Sequence, residues 1–90
     1  MKLYEIYRVV EGVRVREEEF GLLVVSKTTP ALVLNNDMKV VWELINGENT
    51  CKQIALAVKA QYTDSNVESK VAEIFDTLAK IGLIQLVNEV

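Results

Sequence analysis

Few residues of this chain could carry out covalent chemistry. The sequence contains no histidine and a single cysteine, Cys51. Imidazole is the usual general base near neutral pH and a common zinc ligand, so its absence removes catalytic triads, Cys–His pairs and most zinc sites. A single cysteine also excludes an internal disulfide framework and any metal site built from several thiolates. These observations argue against an enzyme and predict neither a metal nor a cofactor.

Two groups remain as candidates for chemistry, and each has a simpler interpretation. Glu17, Glu18 and Glu19 are consecutive, so their carboxylates cannot all converge on one point, and we interpret the run as a solvated turn. Cys51 falls in the first turn of a predicted helix, where the helix dipole and the adjacent Lys52 would stabilise a thiolate. Because neither a base nor a second thiol accompanies it, we interpret Cys51 as a structural residue.

Composition and charge restrict the class of protein further. The chain has 90 residues, of which half are hydrophobic and 26% are charged, as expected for one small globular domain. Its net charge of −3 disfavours nucleic acid, whose binders usually carry a basic patch. No apolar run is long enough to cross a bilayer, and the N-terminus lacks the apolar stretch of a signal peptide. We therefore expect a cytoplasmic protein without membrane contact.

The elements that would position a binding site begin with a predicted sheet. Val13 to Arg16 alternates with period two, which is typical of a half-buried strand. Phe20 to Ser26 and Ala31 to Asn35 are predicted as two further strands, and the short turns between them favour an antiparallel meander. The third strand would be an edge strand without a charged residue. Edge strands are protected by charge, covered by another element, or paired with a partner strand, and the sequence leaves these alternatives open.

The rest of the chain is predicted to be helical. Asn35 or Asn36 is expected to cap the first helix, because an Asn side chain can accept a hydrogen bond from an unpaired backbone N–H. Thr50 with Gln53 forms a capping box, which opens a second helix that extends to about Gln61.

The strongest helical pattern lies between Val67 and Gly82. Ser65 with Glu68 predicts a capping box at its start, and Gly82 supplies the left-handed residue that ends it. One apolar face is formed by residues at steps of three and four: Val67, Val71, Ile74, Leu78 and Ile81. A second apolar edge lies roughly a quarter turn away: Ala72, Phe75 and Ala79. If this second edge is free, it can form one wall of a groove; the alternative is that both edges belong to the core.

Together these elements predict a single α+β domain with a winged-helix-like arrangement. A three-stranded antiparallel β-meander at residues 13–35 is followed by a three-helix bundle at residues 36–82. Residues 1–12 form an N-terminal arm or short strand, and residues 83–90 form a C-terminal tail that could be a short terminal strand.

The order and spacing of these segments resemble the PqqD-like family. The similarity is strongest at the strand that ends at Leu34-Asn35, at the turn Asn46-Gly47-Glu48-Asn49-Thr50, and at Gln53-Ile54-Ala55 after it. The N-terminal part, Tyr7-Arg8-Val9 and then Val15 to Gly21, is similar to the mycofactocin-pathway type, although the turn at residues 27–30 is shorter than in that type. Members of the family are recognition elements for ribosomally synthesised and post-translationally modified peptides (RiPPs), and they bind the leader segment of the precursor.

The resemblance implies a non-catalytic module that needs no cofactor. In this family the leader peptide adds as an extra strand beside the third strand and lies in a groove against the third helix. The module delivers the precursor to a modifying enzyme, often a radical SAM protein with a SPASM-type auxiliary iron–sulfur domain. On this sequence the implied strand residues are Ala31, Leu32, Val33, Leu34 and Asn35. The implied helix residues are Glu68, Val71, Ala72, Phe75 and Ala79.

The alternative interpretation is a winged-helix DNA-binding transcription regulator. Between Thr50 and Gly82, however, four lysines are balanced by four acidic residues. A recognition helix with that balance lacks the positive charge that supplies most non-specific affinity for DNA. The sequence leaves open which precursor peptide is bound and whether the free domain forms a homodimer through its edge strand.

Overall fold

The computed structural model describes residues 2–27, 29–62 and 65–88. The residues outside this description are Met1, Thr28, Thr63, Asp64, Glu89 and Val90. The turn predicted at residues 27–30, the connection before the third helix, and the ends of the arm and tail therefore lie partly outside the described residues. In chain order the elements are β1 (Tyr7–Val9), β2 (Arg14–Glu18), β3 (Gly21–Val25), β4 (Leu32–Leu34), α1 (Asn36–Leu44), α2 (Cys51–Gln61), α3 (Val67–Ile81) and β5 (Ile84–Leu86).

The predicted meander is confirmed as a three-stranded antiparallel sheet with the order β2-β3-β4. Strand β4 is therefore an edge strand, as the sequence predicts. The first turn is shorter than predicted, because Glu17 pairs with Leu22 and Glu18 pairs with Gly21. Glu19 and Phe20 are therefore the only residues between β2 and β3. Two residues are enough for a hairpin loop that joins antiparallel strands.

A second sheet joins the two ends of the chain, which the sequence did not predict as a pair. Strand β1 runs antiparallel to β5, with Tyr7 opposite Leu86 and Val9 opposite Ile84. The segment before β1 lies along the start of α2, where the backbone N–H of Cys51 donates to the carbonyl of Glu5 at 2.8 Å. The N-terminal arm therefore has a structural role, because it lies along α2 and pairs with the C-terminal tail. We call the paired strands β1 and β5 the strap.

The helix ends agree with the sequence at three of the four caps that it predicts. The Asn35 side chain accepts a hydrogen bond from the backbone N–H of Met38 at 2.9 Å, and both bonds of the Thr50–Gln53 capping box are present. Gly82 ends α3 in the left-handed conformation, with φ of 90°.

The predicted capping box of Ser65 with Glu68 is wrong. Asn66 is the N-cap of α3, and the start of this helix has no side-chain capping hydrogen bond. The helix begins one residue later than the box requires. Glu68 is consequently the second helical residue and not the third, from which a side chain reaches back to the N-cap.

The core lies between the three-stranded sheet and the three helices. Among the described residues every buried side chain is apolar, which includes Trp42 on α1 and Leu34 on β4. The apolar face of α3 is rotated slightly from its predicted centre. Phe75 is fully buried, whereas Ile74 and Ile81 are only half-buried and pack against the edge of the core.

Candidate functional site

The edge strand β4 exposes its backbone and only part of its side chains. Leu32 and Leu34 turn toward the core, and Leu34 is completely buried. Val33 points to the other face of the sheet and is 52% exposed, while the flanking Ala31 and Asn35 are also exposed. On the side away from β3, no strand pairs with β4 in the described part of the chain. Its outward N–H and C=O groups are therefore positioned to accept another strand.

Phe75, the largest residue of the second apolar edge of α3, is not free. It is only 2% exposed, and its ring centroid lies 5.4 Å from that of Tyr7 on β1. The physical reason is the position of β1, which places Tyr7 against this ring. Phe75 therefore belongs to the core. Val71, which lies on the first apolar face, is also buried.

The other implied helix residues remain accessible to differing degrees. Glu68 and Ala79 are exposed, and Ala72 is half-buried. Helical periodicity places them on the same side of α3 as Phe75, and the Glu68 carboxylate lies 3.9 Å from the Lys59 ammonium on α2. Whether they contact a peptide stays a prediction.

An apolar cleft of about 60 Å³ opens on the opposite flank of α3, between the three helices. Its lining residues are Asp37, Val41, Val58, Tyr62, Val67, Lys70, Val71 and Ile74. Asp37 lies only three positions after the last residue of β4, so the cleft is next to the end of the edge strand. Strand edge and cleft together form the candidate site.

Sequence reasoning assigned Ile74 to the core, placed Tyr62 on the inward face of the second helix, and gave no role to Asp37. Ile74 and Phe75 are consecutive, so they lie about 100° apart around the helix. Periodicity shows that both sit near the apolar face, but it cannot show which one the strap covers. The tertiary position of β1 decides this, and the weak pattern at the N-terminus gave no signal for it.

Asp37 on α1 and Tyr62 at the end of α2 interact at the cleft. Burial and the nearby Asp37 carboxylate raise the pKa of Tyr62 above its usual value. The two residues bring the first turn of α1 and the end of α2 to the cleft that Ile74 and Val58 also line.

The acidic run at the tip of the β2–β3 hairpin is not a catalytic cluster. Glu17 and Glu18 are consecutive strand residues, so their side chains point to opposite faces of the sheet. Glu17 accepts a hydrogen bond from the Lys39 ammonium, which lowers the pKa of the Glu17 carboxyl. Glu18 instead pairs with Arg16 at 2.7 Å. The prediction that the whole run is a turn is wrong, because Glu17 and Glu18 belong to β2 and only Glu19 lies in the loop; Glu17 and Glu19 are exposed, and Glu18 is half-buried.

The environment of Cys51 is that of an inert thiol. The side chain is fully buried at the start of α2. Burial and, secondarily, the Glu5 carboxylate raise the pKa of the Cys51 thiol to about 11. Desolvation thus outweighs the helix dipole, which on its own would lower the pKa.

We expect Cys51 to resist iodoacetamide at pH 8 in the folded protein and to react rapidly in 6 M urea, roughly the range in which small domains unfold. The thiolate is the reactive form, and at pH 8 a thiol with a pKa of about 11 is almost entirely protonated. Mass spectrometry of timed samples measures the reaction. Labelling of native protein as fast as that of a short cysteine peptide would contradict a buried, structural Cys51.

No described cluster suggests a metal ion, since no group of three potential acidic or thiol ligands lies close enough together in residues 2–27, 29–62 and 65–88. Within the same residues, none of the helices has the length and apolar character required to span a bilayer.

Taken together, these features define a winged-helix-like α+β domain with an open sheet edge beside an apolar cleft. The family model for coenzyme PQQ synthesis protein D (PqqD) matches residues 23–84, from β3 to the start of β5. The chain belongs to the PqqD family. No curated protein matches it, and nothing in the comparisons addresses the mycofactocin-pathway type, which stays a prediction.

Solved structures with the same fold support this assignment. TbiB1 in complex with the TbiA(beta) leader peptide superposes with a TM-score of 0.76 at 17% identity, over 92% of this chain and 98% of that one. The solution structure of the PqqD truncation of Methylobacterium extorquens PqqCD, described as a functional and stand-alone RiPP recognition element, gives 0.72 at 23% identity, over 89% of this chain and 88% of that one. The heterocyclase TruD gives 0.71 at 18% identity; 92% of this chain corresponds to 12% of TruD. At these identities the likeness concerns the fold.

Proposed function

We propose that this protein is a cytoplasmic, non-catalytic module that binds the leader segment of a ribosomally synthesised precursor peptide. The leader adds as a fourth strand beside β4, and the module presents the precursor to a modifying enzyme of the radical SAM/SPASM type. The observation that carries the proposal is the open, uncharged edge of β4 next to an apolar cleft. Membership of the PqqD family and the fold shared with a leader-peptide complex support it.

The strand side of the site acts through its backbone. On an edge strand, alternate N–H and C=O groups point outward, and only those can pair with a guest strand. In the segment from Ala31 to Asn35, these groups would give the leader its direction and register. Side-chain pockets along the strand would then select which leader fits.

On α3, the residues with the best structural support as peptide contacts are those that line the cleft. Ile74 is half-buried and lines the cleft near the end of β4, so an apolar leader side chain could remove it from water. Val71 lines the same cleft. The support for four other helix residues is the family resemblance alone, because they do not line the cleft: Glu68, Ala72, Phe75 and Ala79.

Replacing Ile74 by alanine should weaken leader binding by about 1–3 kcal/mol, the range for a central apolar contact. The stability of the free protein should fall by less than for a fully buried residue, because Ile74 is only half-buried. Titration calorimetry with a candidate precursor peptide measures the affinity, and urea denaturation measures the stability.

Leu56 offers a matched control for this variant. It is a helical aliphatic residue that is 54% exposed and does not line the cleft. Leu56→Ala should leave the affinity within about twofold of wild type, as is usual for residues outside a binding centre. Equal affinities for Ile74→Ala and Leu56→Ala would remove the cleft from the proposed site. Pairing of β4 with a second copy is a competing use of this edge, and sedimentation of the free protein would reveal it as a dimer.

A further inference from the structure

The outer face of the three-stranded sheet, turned away from the core, carries an ordered set of exposed side chains. The register places Arg16, Leu23 and Val33 in one row across the three strands, with Arg14 beside Val25 in the next row. Val25 is 45% exposed and Val33 is 52% exposed, while Leu23 is half-buried. We call these five residues the outer face. It has an apolar centre on β3 and β4 and a basic border on β2.

This arrangement contrasts with the molecule as a whole, whose net charge is −3. Exposed aliphatic residues in adjacent rows of a sheet are typical of an interaction surface. The only carboxylate on the same side of β2 is Glu18, and it already pairs with Arg16 at 2.7 Å. Glu18 already partners Arg16, so Arg14 is the arginine that charge complementarity assigns to a carboxylate of the partner, beside the apolar centre.

Two other occupants fit these observations less well. A nucleic acid would meet the carboxylates of Glu17, Glu18 and Glu19 at the tip of the same hairpin, which repel phosphates. A second copy of this chain would bring the same two arginines and no unpaired carboxylate from its own outer face. A distinct, acidic protein surface is the occupant that the charges select.

The outer face is continuous with the proposed peptide site, because Val33 belongs to β4. A leader strand added beside β4 would extend the sheet, and every second leader side chain would lie on the same face as Val33. The outer face of the extended sheet would then be formed jointly by the module and its guest. A partner that binds there contacts both at once.

We infer that the outer face is the docking surface for the modifying enzyme, which meets it with an apolar patch bordered by carboxylates and reads the bound leader at the same time. This inference rests on the proposed function. Because enzyme and leader share the surface, each increases the affinity for the other by the same factor. The enzyme therefore binds the module with the leader bound more tightly than it binds the free module.

The test uses a purified candidate modifying enzyme of the radical SAM/SPASM type and its precursor peptide, with the full chain as the third component. Arg14→Glu combined with Arg16→Glu, and separately Val25→Ser, should each weaken enzyme binding to the loaded module by at least about tenfold, as for a charged or central contact. Leader affinity should stay within about threefold of wild type, since neither change touches β4 or the cleft. Biolayer interferometry measures the enzyme, and calorimetry measures the leader.

Matched controls come from exposed positions of α2 and α3. Lys52→Glu combined with Lys80→Glu repeats the change in charge, and Leu56→Ser repeats the loss of an exposed aliphatic side chain. These controls should bind the enzyme as wild type does, and circular dichroism should show all variants folded.

Four results would overturn the inference. They are equal enzyme binding by outer-face and control variants, no enzyme binding by the loaded wild type, a wild-type dimer that Val25→Ser dissociates, and heparin retention that the arginine variant alone loses. Leader titration is measured separately, so a failure here is distinguishable from a failure of the proposed function.

Discussion

Replacing Phe75 by alanine should lower the free energy of unfolding by about 3–5 kcal/mol, the usual cost of removing a buried aromatic ring. Phe75 is 2% exposed, and its ring packs against that of Tyr7, so the change would leave a cavity between α3 and the strap. A small domain has only about 5–15 kcal/mol to lose, so the transition should move markedly. Urea denaturation followed by circular dichroism gives the value.

The matched control is Thr77→Ala, at an exposed position on the same helix. Its unfolding free energy should stay within about 0.5 kcal/mol of wild type, as for other surface substitutions. If Phe75→Ala behaved in the same way, the position of β1 over α3 would be wrong, and Phe75 would be available to a guest peptide after all.

Gly21→Ala should be the most damaging change in the sheet. Gly21 has φ of 139°, and an added Cβ atom would lie 1.9 Å from the backbone carbonyl oxygen of Leu34. This backbone conformation alone should lower the free energy of unfolding by roughly 1–3 kcal/mol when alanine has to adopt it. The clash adds roughly 1–3 kcal/mol more, since β4 has to move away from β3.

Gly12→Ala separates the two contributions. Gly12 also has a positive φ, of 91°, but an added Cβ atom would have no neighbour within 4 Å. We therefore expect only the conformational cost at Gly12 and a clearly larger loss of stability at Gly21, both measured by thermal and urea unfolding. Equal losses would show that β4 does not lie against Gly21 as described. Because the clash displaces the edge strand, Gly21→Ala should also weaken leader binding.

Local signals in the sequence were sufficient for most of the architecture. Period-two alternation predicted the meander, and Asn35, Thr50 and Gly82 predicted helix ends, because each of these features depends on residues close in the chain. The failed capping box at Ser65 belongs to the same local class. It misplaced a helix start by one residue, which is enough to break a reciprocal bond.

The candidate site was less predictable, because its form depends on contacts between distant segments. The uncharged third strand indicated an open edge, and the structure places β4 at that edge. The apolar residues of α3 did not reveal which of them are covered. Tyr7 covers Phe75 and leaves Ile74 beside the cleft, and the pairing of β1 with β5 that makes this possible spans nearly the whole chain.

The most direct test of the account is an NMR titration of isotopically labelled protein with the leader segment of a candidate precursor peptide. In the free protein, the outward amides of β4 should exchange rapidly with solvent, and on binding they should become protected as they pair with the guest strand. The largest chemical-shift changes should fall on Ala31 to Asn35 and on the cleft around Ile74. Shifts concentrated on the strap, or a β4 edge that gains no protection at saturation, would contradict strand addition at this site.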